Sequence, residues 1–248
     1  MKSYFIANGT VNLHVLENGE KTDNSPSLLV IGGLWEPAER AIPILSELSS
    51  HTVAFSFRGR GLSSTPENGY DLDDHLSDIE AVVKSCGLKD YCVLGFSRGA
   101  SYALSWSLKE QNNMSGLILV DQPPLHTKPG EGYVDFWSNL VYLGVPILNF
   151  MRKSALKGLE REAVQVDFSS RLKELNLPVT FFVGKNKSSI IPSDITEEIL
   201  HSYQTSIPDC KIIEFLESGH MIPDEEQKKY LDEIQIFIKK LAIDHNTI

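Results

Sequence analysis

A single serine stands between two glycines in a segment that is suited to nucleophilic chemistry. Gly95-Phe96-Ser97-Arg98-Gly99 joins the apolar run YCVLGF to RGASYALSWSLKE, whose spacing predicts a helix. A strand that turns this sharply into a helix holds Ser97 in a strained backbone conformation, and the glycines let the two elements approach closely. The turn presents the Ser97 hydroxyl at the carboxyl end of a sheet and the Arg98 amide at a helix N-terminus, where it can stabilise an anion. We therefore predict that Ser97 is a nucleophile.

A serine hydroxyl is a poor nucleophile near neutral pH, so a base must lie within hydrogen-bond reach. Of the seven histidines, His220 has the most informative position, because it follows the apolar run KIIEFL and the turn ESG and precedes Pro223 and a long helical segment. This order predicts a loop at the carboxyl end of a late strand, on the same sheet edge as Ser97. The other six histidines lie in or beside predicted strands, on helices, in the middle of the chain or in its tail. His220 is therefore the predicted base.

Composition limits the classes of function that the chain can have. The 248 residues are 42% hydrophobic and 23% charged, as in ordinary globular domains. A net charge of −10 opposes binding to nucleic acid or to an anionic membrane surface. The three cysteines show neither CxxC nor zinc-ligand spacing, so we expect neither a disulfide framework nor a zinc site. The chemistry predicted for Ser97 and His220 needs no cofactor and no metal, and we expect none. The N-terminus predicts a strand rather than a signal peptide, and no apolar run is long enough to span a membrane, which favours a cytoplasmic location.

Short apolar strands and amphipathic helices alternate along most of the chain. The N-terminal strands form a predicted hairpin around Asn8-Gly9. From Ser27 to Val120 the alternation predicts an α/β fold, with a mostly parallel, doubly wound sheet that has helices on both faces. The pattern stops after residue 121 and resumes near residue 178. We therefore expect a core of residues 1–121 and 176–248, with a small helical cap inserted at residues 122–175.

Five motifs together resemble those of the α/β-hydrolase superfamily, and they occur in the order expected there. They are LLVIGGLWEPAE, FSFRGRGLSS, GYDLDDHLSDIEAVV, VLGFSRGAS and ESGHMIPDE. The resemblance covers nearly the whole chain apart from the cap, and it implies the α/β-hydrolase fold with Ser97 at the nucleophile elbow. It also implies an oxyanion hole made by the backbone N–H groups of Leu34 and Arg98. Because the family usually has His-Gly where this chain has Ile31-Gly32 or Gly32-Gly33, Gly33 is the alternative donor.

The resemblance leaves open the third member of a Ser-His-acid triad. Members of the family commonly have an aspartate shortly after the strand VTFFVG, but residues 185–189 of this chain contain no carboxylate. We assign the acid to Asp121, at the end of the preceding strand, because some lipases of the superfamily take their carboxylate from this strand end. Asp194 is a second candidate, although its place after Pro192-Ser193 is more typical of a helix N-terminus. The third alternative is a Ser-His dyad assisted by Ser189 or water, or a catalytically impaired site.

Aromatic residues next to these positions are the candidates for the substrate pocket. Trp35 and Phe96 directly flank the oxyanion and nucleophile positions, so we expect them to line it. Phe136 and Trp137 in the cap are candidates for an apolar acyl pocket, although apolar residues at helical spacing usually pack against the rest of the protein.

Two arginines in the FRGRG segment also have two interpretations. Arg58 and Arg60 could contact an anionic substrate, but loop arginines of this kind more often bond to backbone carbonyls near the sheet edge. The family often has Asp at the position of Ser56, so an ion pair within the segment is disfavoured.

These residues predict a serine hydrolase that cleaves a small ester or a related acyl substrate through an acyl-enzyme on Ser97. The same scaffold supports perhydrolysis, carbon–carbon bond hydrolysis and lyase chemistry. Epoxide hydrolase and haloalkane dehalogenase chemistry is disfavoured, because it requires Asp at the position of Ser97. The alternative from another class is a ligand-binding or signalling protein with weak or no turnover, which the missing acid after VTFFVG favours. The expected partner is a small-molecule substrate, with no nucleic acid or membrane, and the oligomeric state does not follow from the sequence.

Overall fold

The computed structural model describes residues 1–245 and is built around one eight-stranded sheet. Across the sheet the strands lie in the order β1-β2-β4-β3-β5-β6-β7-β8. The second strand is antiparallel to both of its neighbours, and all the other pairings are parallel, as predicted. In chain order the strands are β1 (Lys2–Asn8), β2 (Val11–Asn18), β3 (Ser27–Ile31), β4 (Thr52–Phe55), β5 (Tyr91–Phe96), β6 (Met114–Val120), β7 (Val179–Gly184) and β8 (Cys210–Phe215).

Helices cover both faces of this sheet, as the alternating pattern predicts. Successive side chains of a strand point to opposite faces, so Leu29 and Ile31 of β3 belong to one hydrophobic cluster and Leu28 and Val30 to the other. The second, third and sixth helices pack into the first cluster, and the first and last helices pack into the second. In chain order the helices are α1 (Ile42–Glu47), α2 (Leu72–Ser85), α3 (Arg98–Glu110), α4 (Tyr133–Asn139), α5 (Lys153–Glu162), α6 (Glu197–Ser206), α7 (Ile222–Glu225) and α8 (Gln227–His245).

Residues 122–175, between β6 and β7, contain only short elements. Helix α5 buries Ala155, Leu156 and Leu159 in the cluster that also contains α1 and α8. The division into a core and an inserted cap at these boundaries stays a prediction. Besides α4 and α5, the segment contains two pairs of two-residue strands, Leu125–His126 with Val166–Asp167 and Val141–Tyr142 with Val145–Pro146, and two 3₁₀ helices, Ile147–Asn149 and Ser169–Glu174.

One helix begins later than its hydrophobic spacing predicts. The pattern predicts a helix from Ser193, but α6 begins at Glu197, because the side chain of Thr196 caps it by accepting a hydrogen bond from the Ile199 amide. Residues 193–196 therefore lie in a loop beside the carboxyl end of β6. Within residues 1–245, no helix combines the length and apolar character needed to cross a bilayer.

Candidate active site

Ser97 occupies a tight turn between β5 and α3. Its φ of 54° and ψ of −131° lie outside the regions that non-glycine residues usually adopt, and its amide donates to the Val120 carbonyl at 2.9 Å. Gly99 makes this turn possible, because a Cβ at that position would lie 2.3 Å from the carbonyl oxygen of Gly32. Only glycine fits at position 99, because there the start of α3 passes close to the backbone of the loop after β3.

His220 lies in the loop between β8 and α7, and its imidazole faces the serine. Its Nε2 is 2.9 Å from the Ser97 Oγ, and the His220 amide donates to the Ile191 carbonyl at 2.7 Å. Gly184 at the end of β7 lets this loop approach, because a Cβ there would lie 1.8 Å from the Gly219 carbonyl oxygen. The nucleophile and the base predicted from the sequence are thus within hydrogen-bond distance of each other.

The carboxylate that faces His220 is that of Asp121. Its Oδ2 lies 2.7 Å from the His220 Nδ1, and the Asp121 side chain is only 1% exposed. Its Oδ1 accepts hydrogen bonds from the Gly184 amide at 3.1 Å and from the Ser193 hydroxyl at 2.7 Å. An ionised carboxylate accepts but does not donate, so His220 donates from Nδ1 and leaves Nε2 free to accept the Ser97 proton.

Among the described residues, neither Asp194 nor Ser189, the other two candidates from the sequence, makes a side-chain hydrogen bond or ion pair with His220. Asp194 is exposed, and the Ser189 hydroxyl donates to the carboxylate of Glu225. Sequence reasoning did not single out Ser193 as a partner of the acid, because its predicted place was the start of a helix. No local signal marks this contact, because its two residues lie far apart in the sequence.

The two predicted oxyanion donors are the backbone amides of Arg98 and Leu34. Arg98 is the first residue of α3, and Leu34 follows the glycine turn after β3. Within residues 1–245, neither backbone N–H donates a hydrogen bond. The Gly33 amide, by contrast, donates to Glu36 Oε2 at 2.9 Å. The Glu36 carboxylate therefore occupies the amide of Gly33, the alternative oxyanion donor. The Leu34 amide is the one that stays available for an oxyanion.

Glu36 is a buried carboxylate that the sequence analysis did not identify. It is 7% exposed, and burial raises the pKa of its carboxyl group. Arg40 lies 3.4 Å from Glu36 Oε1 and also donates to both oxygens of Asp224, at 2.7 and 2.6 Å. The Tyr142 hydroxyl donates to the same aspartate at 2.9 Å. This network ties the loop after β3 to α7 and to the segment before β7.

The four predicted pocket residues differ in burial and in the rings that they contact. The Phe96 ring centroid is 5.2 Å from that of His220. Trp35 is 7% exposed and lies against the rings of Tyr142 and Phe150. Trp137 is partly buried, whereas Phe136 is 62% exposed and its ring contacts that of Trp137. Their roles in binding stay predictions.

The two arginines of the FRGRG segment have different environments. Arg58 donates to both carboxylate oxygens of Asp78, at 2.9 and 2.7 Å, and forms an ion pair with Asp74. Arg60 donates instead to the backbone carbonyls of Leu34 and Arg58, at 3.0 and 2.6 Å. The part of the chain that the structure describes contains no group of three or more His, Cys, Asp or Glu side chains suited to a metal ion.

Comparison with known proteins identifies the family. A family model described as the alpha/beta hydrolase fold matches residues 26–181, which is more than half of the chain. The chain belongs to the α/β-hydrolase family. Curated relatives of this α/β-hydrolase include the N-formylmaleamate deformylase of Pseudomonas putida, which is 27% identical over 89% of this chain and 92% of its own length. The bifunctional esterase/perhydrolase of Acinetobacter calcoaceticus is 22% identical over 75% of this chain and 81% of its own length. The protein is therefore a hydrolase of this superfamily, and its relatives act on small molecules.

Solved structures agree with this fold. A crystal structure of an N-formylmaleamic acid deformylase from Pseudomonas putida superposes with a TM-score of 0.75, at 21% identity, over 94% of this chain and 100% of that one. An esterase from Exiguobacterium antarcticum gives a TM-score of 0.76, at 19% identity, over 96% of this chain and 100% of that one. At these identities the likeness supports the fold alone.

Proposed function

We propose that this α/β-hydrolase is a serine hydrolase in which Ser97, His220 and Asp121 form the catalytic triad. The observation that carries the proposal is the continuous hydrogen-bond chain from the Ser97 hydroxyl through the imidazole of His220 to the buried carboxylate of Asp121. The sequence analysis kept a ligand-binding protein as an alternative, because no carboxylate follows β7 where the family usually has the acid of its triad. Asp121 supplies a carboxylate from the end of the neighbouring strand, so this reason for the alternative no longer applies.

The reaction begins with attack of the Ser97 Oγ on the substrate carbonyl carbon, while His220 Nε2 takes the hydroxyl proton. The carbonyl oxygen becomes a tetrahedral oxyanion, which accepts hydrogen bonds from the amides of Leu34 and Arg98. The Asp121 carboxylate holds the imidazole in the tautomer that can accept the proton and stabilises the imidazolium that results.

The tetrahedral intermediate collapses when His220 returns its proton to the leaving group. The bond between the carbonyl carbon and the leaving group breaks, and an acyl-enzyme on Ser97 remains. Water then attacks the acyl carbon as His220 takes its proton, and the serine hydroxyl is regenerated with release of the acid. No cofactor enters these steps.

The substrate class is a small ester or a related acyl compound. Relatives of this chain are named as a deformylase of N-formylmaleamate, a hydrolase of 2-(acetamidomethylene)succinate and an esterase/perhydrolase. These names cover both N-acyl compounds and esters. We therefore place carboxylic esters and small N-acyl compounds together as the proposed substrates, with Trp35, Phe96, Phe136 and Trp137 as the proposed pocket residues.

Covalent labelling with a fluorophosphonate probe tests the nucleophile. We expect rapid labelling of the native protein and none of Ser97→Ala, because a fluorophosphonate captures a serine that its own base activates. Hydrolysis of 4-nitrophenyl acetate by Ser97→Ala should fall by roughly 10⁶ in kcat, as in a comparable serine enzyme. Ser189→Ala is the matched control, because it removes a serine hydroxyl that bonds to Glu225 rather than to His220. Full esterase activity in a folded Ser97→Ala protein would contradict the proposal.

A further inference from the structure

The backbone turn after β3 brings the Leu34 amide beside the nucleophile. Leu34 and Trp35 are the central residues of a β-turn. The turn is closed by a hydrogen bond of 3.3 Å from the Glu36 amide to the Gly33 carbonyl. A Cβ on Gly33 would lie 3.4 Å from the Ser97 Cβ, so the turn lies directly beside the serine. The Leu34 N–H can therefore serve an oxyanion on Ser97, provided that its direction is fixed.

Two consecutive glycines precede this donor. Gly32 and Gly33 lack a Cβ, and the backbone of glycine rotates more freely than that of any other residue. A donor stabilises an oxyanion best when its N–H already points to the place where the negative charge develops. Other contacts must therefore hold the peptide units around Leu34 in one orientation.

Glu36 holds the two peptide units before Leu34. Its carboxylate accepts a hydrogen bond of 2.9 Å from the Gly33 amide, and its own amide donates to the Gly33 carbonyl. The N–H and C=O groups of a trans peptide point in opposite directions. Because the Gly33 carbonyl and the Leu34 N–H belong to the same peptide unit, a hydrogen bond to the carbonyl fixes the direction of the N–H. Glu36 thus holds the peptide units on both sides of Gly33.

Arg60 holds the peptide unit after Leu34. Its Nε donates to the Leu34 carbonyl at 3.0 Å. Arg60 is 1% exposed, and its Nη1 donates to the Arg58 carbonyl at 2.6 Å and to His75 Nε2 at 3.1 Å. A β-turn changes type when its central peptide unit rotates, and in this turn that unit contains the Leu34 carbonyl. The hydrogen bond from Arg60 opposes this rotation.

Glu36 is held in turn by a network that reaches α7. Arg40 lies 3.4 Å from Glu36 Oε1, and its Nη2 donates to both carboxylate oxygens of Asp224. Asp224 belongs to α7, which begins two residues after His220. The same network therefore joins the turn that carries the oxyanion donor to the loop that carries the base.

We propose that Glu36 and Arg60 are positioning residues that aim the Leu34 N–H at the substrate oxyanion. Both side chains act through the backbone of the turn. This role rests on the proposed reaction of Ser97, and it adds the groups that preorganise one of the two oxyanion donors. Removal of a whole oxyanion donor lowers kcat by about 10² to 10³. Loosening the donor should have a smaller effect, so we expect a loss of about ten- to hundredfold.

Hydrolysis of 4-nitrophenyl acetate by Glu36→Ala measures this loss, with active sites counted by the fluorophosphonate probe. Acylation and deacylation both pass through an oxyanion, so both should slow alike. We expect kcat to fall about ten- to hundredfold and KM to change less than threefold. Glu162→Ala is the matched control, because the Glu162 carboxylate also accepts from backbone amides, those of Gly69 and Tyr70, each at 2.7 Å in the loop before α2. An unchanged kcat in Glu36→Ala, or an equal loss in Glu162→Ala, would overturn the positioning role.

Phenylboronic acid separates positioning from a loss of folded protein. The Ser97 Oγ forms a bond to boron as His220 takes its proton, and the boron becomes tetrahedral and negatively charged, as in the transition state. Calorimetry should show about ten- to hundredfold weaker binding to Glu36→Ala, because this analogue loses the same interaction as the transition state. Unfolded protein would lower the stoichiometry and leave the affinity unchanged. The Leu34 amide proton should shift downfield on adduct formation in the native protein and shift less in Glu36→Ala. Equal affinity, or an equal shift, would contradict the proposal.

Two further variants keep the test valid if Glu36→Ala does not fold. Glu36→Gln keeps the size of the side chain and one acceptor oxygen, so kcat should fall about three- to tenfold. Arg60→Lys keeps the charge but replaces the planar donor group by a single ammonium, and it should lower kcat about tenfold with little change in KM. If the native protein neither hydrolyses the ester nor binds phenylboronic acid through Ser97, the proposed function fails and the positioning role fails with it. If the native protein does both and these variants match it, the serine hydrolase stands and the positioning role is overturned.

Discussion

Replacement of Asp121 by asparagine is the sharpest test of the proposed triad, because the change keeps the shape and removes one acceptor. In the native protein Oδ1 accepts from the Gly184 amide and the Ser193 hydroxyl, and Oδ2 accepts from His220 Nδ1. An asparagine has a single acceptor oxygen and one NH₂ group. The Gly184 amide can only donate, so the oxygen must stay on that side and the NH₂ group must face His220.

This orientation changes the tautomer of the imidazole. Facing an NH₂ group, His220 Nδ1 must accept, so the proton of the neutral ring moves to Nε2. Nε2 is the atom that lies 2.9 Å from the Ser97 Oγ, and once protonated it cannot take the serine proton. The same substitution in a well-studied serine protease triad lowers kcat by about 10⁴, which corresponds to roughly 5.4 kcal/mol at 1.36 kcal/mol for each tenfold change. We expect a loss of this size here.

Steady-state hydrolysis of 4-nitrophenyl acetate measures the loss in kcat, and ¹⁵N spectra of the imidazole report the tautomer directly. Asp194→Asn is the control, because this exposed aspartate makes no bond to His220 and its replacement should change kcat less than twofold. Two results would refute the reasoning: an Asp121→Asn protein that keeps more than a tenth of the native kcat, or an Asp194→Asn protein that loses as much activity as Asp121→Asn.

Two further predictions concern groups around the site. Ser193→Ala removes one hydrogen bond to the buried Asp121 carboxylate, so urea unfolding should show a loss of roughly 1.5–3 kcal/mol, and kcat should fall far less than in Asp121→Asn; an unchanged stability would contradict this role. The pKa of His126 is about 3 in the folded protein, against 6.5 ordinarily, because of burial and Arg98. The unfolded chain therefore binds the extra proton first, and stability should fall as pH drops from about 6.5 towards 3, by up to about 1.4 kcal/mol per pH unit. Urea unfolding at pH 7 and pH 5 should show a smaller decrease for His126→Gln, and an equal decrease would contradict this assignment.

Most of the fold could be predicted from local patterns. The Asn8-Gly9 hairpin and the alternating strands and helices follow from hydrophobic period and turn chemistry, and the sheet contains the predicted strands. The structure differs from the prediction at the end of a helix, where a capping side chain outweighs hydrophobic spacing. The cap at Thr196 makes α6 begin four residues later than the pattern predicts. The segment between β6 and β7 was the least predictable part, because its two-residue strands carry no period that a sequence could display.

The site was predictable in part, for a physical reason. Ser97 and His220 stand close to Gly99 and Gly219, two glycines that close backbone contacts require and that a sequence can display. Ser193 acts through a contact with Asp121, far away in the sequence, and the bonds of Glu36 to Gly33 and Arg40 are local but follow no motif that the sequence displays. The environment of Arg60 shows the limit most clearly, since sequence alone left open whether it bonds to carbonyls or meets an anion, and the structure shows carbonyl bonds on two nitrogens and an unsatisfied third.

The position of Asp121 follows from the register of the sheet. Phe96 of β5 is paired with Val120 of β6, so the next residues, Ser97 and Asp121, leave the sheet side by side at its carboxyl edge. Both have positive φ, 54° and 49°, a conformation that is uncommon for residues other than glycine and that persists when surrounding bonds hold it. Those bonds are present, because the Ser97 amide donates to the Val120 carbonyl and the Asp121 amide donates to the Phe182 carbonyl, each at 2.9 Å. Strand β6 thus holds the turn after β5, and β7 holds the turn after β6. The separation between Ser97 and Asp121 is therefore set by the pairing of β5 with β6. The backbone hydrogen bonds of three adjacent strands position the Asp121 carboxylate, which explains how the proposed triad could be completed without an acid after β7.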